Sequence, residues 1–81
     1  MPELSRLESQ YSFVRGSDVL RDGMFLEVAK KGEEATPLFE VFYSDETHEM
    51  SFLALSDSIP LDIVEFSIAR AKRDLPPIDH R

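Results

Sequence analysis

The sequence contains no cysteine, which excludes disulfide cross-links and thiolate chemistry. It has only three glycines, Gly16, Gly23 and Gly32, and they lie too far apart to form a phosphate-binding loop. No apolar run is long enough for a membrane span, and the first three residues do not open a secretory signal. We therefore expect a cytoplasmic protein with no cofactor.

Positive charge is missing from the middle of the chain. Between Gly32 and Ala69 there are nine acidic residues and no lysine or arginine, within a total net charge of −7. Such a surface repels phosphate backbones and anionic lipids. We therefore expect neither a nucleic acid nor a membrane as partner, whereas a protein with a basic surface would be attracted.

The 81 residues, 42% of them hydrophobic, predict a single globular domain over residues 1–81. A helix is predicted over residues 60–74, because apolar residues recur there at helical spacing. That stripe consists of Leu61, Val64, Ile68, Ala71 and Leu75. Asp57 and Ser58 offer capping oxygens before the helix, Ile63 and Phe66 project from its other side, and a tail follows at 76–81.

Three runs rich in strand-forming residues, separated by polar turns, predict an antiparallel β-meander over residues 23–56. The runs are Gly23–Lys30, Leu38–Ser44 and Met50–Ser56. Residues 1–15 fit either a helix or a fourth strand that pairs back on the first run, and we favour the strand. The expected fold class is α+β, with a meander of three or four strands and the C-terminal helix packed on one face.

Strand register is argued from the side chains, because a slip of one residue turns each of them to the opposite face. Pairing Lys31 with Thr36, and Ser44 with Met50, leaves one face for the helix that is apolar apart from one phenol. That predicted face consists of Met24, Leu26, Val28, Phe39, Val41, Tyr43, Leu53 and Leu55. The opposite face then has a row of three phenylalanines with Met50, Glu27 and Glu40 around them: Phe25, Phe42 and Phe52. An apolar patch of this kind predicts a homodimer interface, or alternatively a face that residues 1–15 cover.

Two polar groups could carry chemistry. The acidic loop, Asp45, Glu46 and Glu49, surrounds His48, but neighbouring loop residues point in different directions, so we expect no metal site. Glu27 and Glu40 could form a carboxylate pair with one raised pKa. The alternative, which we favour, is two acids on a sheet face that an arginine from elsewhere pairs.

Four segments resemble a pattern found in a family of small bacterial proteins with no assigned function. They are 15–24, 42–45, 60–61 and 75–77. The resemblance implies no activity. In size and acidity the chain is also similar to bacterial immunity proteins, which block a toxin by binding it.

The sequence thus predicts a non-enzymatic protein-interaction module, in the manner of an immunity-like inhibitor, that self-associates through its aromatic sheet face. The alternative is a small-molecule or metal-binding protein, or a minor enzyme, centred on Glu27, Glu40 or His48.

Overall fold

The computed structural model describes residues 2–77, with the side chains of residues 6–77. The elements in chain order are α1 (Pro2–Gln10), β1 (Tyr11–Asp18), β2 (Gly23–Lys30), β3 (Phe39–Ser44), β4 (Met50–Ala54) and α2 (Leu61–Asp74). The strands form one antiparallel sheet in the order β1-β2-β3-β4. The predicted α+β class is confirmed, while residues 78–81 of the predicted tail lie outside the described residues.

The N-terminal segment contains both of the alternatives that the sequence left open. Helix α1 ends at Gln10, and β1 follows without a loop and pairs with β2. The change of structure occurs where Tyr11 and Phe13 bring β-forming aromatic side chains into the chain. Leu7 of α1 is buried in the core, so the short helix is packed against the rest of the protein.

The sheet has one face covered by helices. Leu26 lies opposite Val41 and Val28 opposite Phe39, which confirms the predicted register of β2 and β3. These side chains are almost fully buried and form the core together with residues of both helices. We call this side of the sheet the helix face and the opposite side the open face.

Helix α2 is rotated relative to the predicted orientation, while Ala71 and Leu75 of the predicted stripe are buried as expected. The residues of the helix that are fully buried are Ile63, Ser67 and Ala71. Leu61, expected in the core, is 69% exposed, and Val64 and Ile68 are only partly buried. The small Ser67 and Ala71 lie in line with Ile63 at i, i+4 and i+8, and their size lets the helix axis approach the sheet.

The start of α2 also differs from the expectation. Its N-cap is Pro60, and neither Asp57 nor Ser58 provides a capping hydrogen bond. The backbone N–H of Ile63 instead donates to the Asp62 carboxylate at 2.7 Å. An acidic group in the first turn also complements the positive end of the helix dipole.

The predicted register of β3 and β4 is wrong by one residue. Met50 lies opposite Tyr43 rather than Ser44, and Phe52 lies opposite Val41. Residues directly opposite each other in an antiparallel pair project to the same face. Met50 and Phe52 therefore lie on the helix face, and the predicted row of three phenylalanines does not exist.

The β3–β4 turn explains this shift. The Ser44 N–H donates to the Glu49 carbonyl at 2.9 Å, and the His48 N–H donates to the Ser44 carbonyl at 2.8 Å. His48 adopts the left-handed conformation (φ 63°), which allows the chain to reverse within residues 45–48. The Ser44 hydroxyl accepts hydrogen bonds from the N–H groups of Glu46 and Thr47 and holds this shorter turn.

Candidate interaction surface

The open face is the surface with the most unusual composition. Both helices pack on the helix face, so no described helix covers the opposite side of the sheet. Large apolar side chains on the open face are correspondingly exposed: Val14 by 49%, Leu53 by 52% and Leu55 by 49%. The cross-strand row that joins Val14 to Leu53 passes through Glu27 and Glu40, so the exposed apolar side chains lie on either side of the two acids. Exposed apolar groups collected on one face are a feature of interaction sites.

The two phenylalanines of the open face are partly buried by their own sheet. A methyl group added at Gly16 would lie 2.9 Å from the Phe25 ring, and one added at Gly23 would lie 2.5 Å from the Phe42 ring. Each ring therefore lies against a glycine, where there is no side chain to hold it away from the backbone. Phe25 and Phe42 are directly opposite each other on β2 and β3, and we call this pair the aromatic floor of the open face.

An ion pair lies on this aromatic floor. Glu27 and Glu40 are directly opposite each other, as predicted, and Glu40 is buried. Arg21, from the β1–β2 turn, donates to both Glu40 oxygens, at 2.8 and 3.0 Å. Its guanidinium carbon lies 4.2 Å from the centroid of the Phe42 ring. The expected arginine partner is thus present for Glu40, and both oxygens of that carboxylate are engaged.

Arg21 also fixes the turn that carries it. Its guanidinium and its backbone N–H both donate to the Asp18 carboxylate. The side-chain hydrogen bond is the main reason that the pKa of Asp18 is lowered. Hydrogen bonds to Glu40 and then to Asp18 raise the pKa of Arg21 above its usual value. The arginine is therefore a permanent cation at one end of the open face.

The loop between β2 and β3 closes the other end of the open face. The Ser12 hydroxyl donates to the Glu34 carboxylate at 2.6 Å, and the Gly32 N–H donates to the same carboxylate at 3.0 Å. The hydrogen bond from Ser12 is the main cause of a lowered pKa at Glu34. The exposed apolar side chains thus lie between two polar ends.

The acidic loop does not gather around a possible metal. Asp45, Glu46 and Glu49 are exposed at the β3–β4 turn, and the His48 ring lies 6.3 Å from the ring of Tyr43. Within residues 2–77, no group of three or more potential ligands is placed to hold a metal ion. In that same part of the chain, no helix is long and apolar enough to cross a membrane.

The C-terminal end of α2 forms a second polar cluster, which the sequence did not predict. Arg73 binds Asp74 at 2.7 Å, and this hydrogen bond is the main cause of a lowered pKa at Asp74. The guanidinium of Arg70 lies 4.6 Å from the centroid of the Phe13 ring. The ring of Phe13, in β1, also contacts the ring of Phe66, in α2, with the ring centroids 5.6 Å apart. These contacts hold α2 against β1.

Sequence reasoning missed several residues of the open face. Leu53 and Leu55 were assigned to the helix face because of the register error, and Val14 lay in the ambiguous N-terminal segment. The sequence predicted Arg21 only as a residue of a turn, without a partner. The acid three residues before it, Asp18, is the local signal that could have indicated an ordered, ion-paired turn.

Comparisons with known proteins do not assign this surface. The chain matches no protein-family model, no curated protein and no solved structure. The resemblance to a family of small bacterial proteins therefore remains an expectation from the sequence.

Proposed function

We propose that this protein is a non-enzymatic interaction module that binds a protein partner through the open face of its sheet. The observation that carries the proposal is the exposure of Val14, Leu53 and Leu55 around the Phe25–Phe42 floor. Exposed apolar and aromatic groups on one surface, combined with an ordered ion pair, are features of protein interfaces.

The distribution of charge favours a basic partner. The acidic loop leads into the start of β4, and the exposed Leu53 and Leu55 lie at the other end of that strand. Opposite charges at the rim of an interface steer the approach of the partner and select against acidic proteins. A module that uses acidic groups in this way would suit the role of an immunity-like inhibitor.

The proposal is tested with Val14→Lys, compared with wild type as bait in a lysate of the protein's own organism. Val14 lies directly opposite Glu27 on the neighbouring strand. A lysine at position 14 can therefore form an ion pair with Glu27, and we expect the fold to be retained. The matched control is Val19→Lys, the same substitution in the exposed β1–β2 turn.

We expect a protein that wild type and Val19→Lys retain and Val14→Lys loses, with weaker retention as salt concentration rises. Equal retention by all three baits would show that the open face is not the binding surface. If wild type retained nothing beyond an unrelated bait protein, the proposed function would be wrong.

A further inference from the structure

Strand β4 is an edge of the sheet, and its own residues lack the groups that most directly protect such an edge. Between Glu49 and Asp57 the chain has no charged residue, no proline and no glycine. Natural edge strands usually have such residues or a cover, because unpaired backbone groups recruit other strands. The opposite edge, β1, contains Arg15 and continues from helix α1. The two edges of this sheet are therefore not equivalent.

The hydrogen bonds at the two ends of β4 determine which backbone groups face outward. The Ser44 N–H donates to the Glu49 carbonyl, and the Leu55 N–H donates to the Leu38 carbonyl at 2.8 Å. Bonding alternates along an antiparallel strand, so residues 49, 51, 53 and 55 face β3. The N–H and C=O groups of Met50, Phe52 and Ala54 consequently point away from the sheet.

We propose that β4 pairs with β4 of a second copy of this chain, antiparallel and about a twofold axis at Phe52. The outward groups are symmetric about Phe52, with Met50 on one side and Ala54 on the other. A twofold axis there pairs Phe52 with its copy and Met50 with Ala54 of the copy, so every outward group gains a partner. The result is one continuous sheet across two chains.

The side chains fit this arrangement. On the helix face, Met50 would lie opposite the small Ala54 of the copy, and the two Phe52 rings would lie side by side. On the open face, Ser51 would lie opposite Leu53 of the copy. Phe52 is 44% exposed in the single chain, and pairing would remove part of this apolar surface from water on the helix face. The paired residues of β4 have no charge of their own, and Lys72 of α2 lies beside Met50 and Phe52 on the helix face.

This inference goes beyond the proposed function, because it concerns the edge of the sheet and not its open face. The two are compatible, since pairing through β4 would join the open faces of both copies into one larger surface. Their experiments also remain distinguishable. Val14, which tests partner binding, lies on β1, at the other edge of the sheet from β4.

The register is tested by cross-linking, which is unambiguous because the chain has no cysteine of its own. In the proposed pairing the two Phe52 Cα atoms are about 5.5 Å apart, within disulfide range, so oxidised Phe52→Cys should form a covalent dimer. In the control Ala54→Cys, the two cysteines are separated by four residues along the strand, or about 14 Å, and should not cross-link. Efficient cross-linking of the control but not of Phe52→Cys would overturn this register.

The dimer itself is tested by sedimentation equilibrium of the intact chain, in enough salt to screen its acidic groups. Wild type should reach twice the monomer mass as its concentration rises. Ala54→Pro removes an outward N–H from each copy but no bond to β3, so it should weaken the dimer at least about tenfold while the monomer stays folded. Leu20→Lys, at the exposed β1–β2 turn, should dimerise like wild type.

A wild-type protein that remains monomeric at every concentration would overturn the proposal and leave the edge for a strand of another protein. A dimer that Ala54→Pro does not weaken would also overturn it, because the contact would then lie elsewhere.

Discussion

At the scale of single residues, the buried hydroxyl of Ser67 costs the protein stability. The residue is fully buried between α2 and the sheet, and its Oγ has no hydrogen-bond partner among the described residues. We expect Ser67→Ala to raise the free energy of unfolding by about 1–2 kcal/mol, because it removes an unsatisfied polar group and improves helix propensity. Chemical denaturation measures this. A loss of stability would mean that the hydroxyl has a partner in solution.

In contrast to the Ser67 hydroxyl, we expect the Arg21 side chain to stabilise the fold. Removing it in Arg21→Ala leaves the buried Glu40 carboxylate without its two hydrogen bonds and uncovers the Phe42 ring. We expect the free energy of unfolding to fall by about 1–3 kcal/mol, a range that allows for the partial exposure of the arginine. Arg73→Ala, which removes an exposed ion pair, is the control and should change stability little. If both variants unfold at the same denaturant concentration, the Arg21–Glu40 pair does not stabilise the fold.

At the scale of elements, the orientation of α2 is the feature most open to mutational test. Ile63 is fully buried, whereas Leu61 is mostly exposed. Ile63→Ala should therefore cost about 2–5 kcal/mol, as large-to-small changes in a core do, and Leu61→Ala should cost far less. Thermal or urea unfolding of the two variants gives the comparison. The reverse order of stabilities would restore the helix orientation predicted from the sequence.

The elements also show what the sequence could and could not predict. The pattern of apolar residues correctly placed α2 and the pairing of β2 with β3, because one side of each is buried and the other is not. It failed for the rotation of α2, since small residues such as Ser67 can line the buried side and give no apolar signal. It failed for β4 because Phe52 and Leu53 offer an apolar residue to either face. There the turn sets the register, through the Ser44 hydroxyl and the left-handed His48.

The candidate site was predicted in part for the same reasons. The Glu27–Glu40 pair and the two phenylalanines of β2 and β3 lie on one face as expected, because that register was right. The sequence predicted Phe52 on the open face, but Phe52 lies on the helix face and Leu53 lies on the open face. Arg21 could be anticipated only as an unidentified arginine, since its contact with Glu40 joins residues that are distant in sequence.

At the scale of the whole molecule, residues 2–77 present two surfaces that the described elements leave open. The open face has exposed apolar groups between polar ends, and the β4 edge has unpaired backbone groups on a strand without charged residues. Helices and core lie on the other side of the sheet, where they set its stability. The two proposals therefore place binding on the other side of the sheet and on one edge, away from the core.

Both proposals depend on the register of β4, which amide hydrogen exchange measures residue by residue. In dilute solution, the N–H groups of Ser51 and Leu53 should be protected by β3, and those of Met50, Phe52 and Ala54 should exchange rapidly. At high concentration, pairing with a second copy should protect the latter group as well. The opposite alternation in dilute solution, with Phe52 protected and Leu53 in rapid exchange, would place Met50 opposite Ser44 and contradict the register.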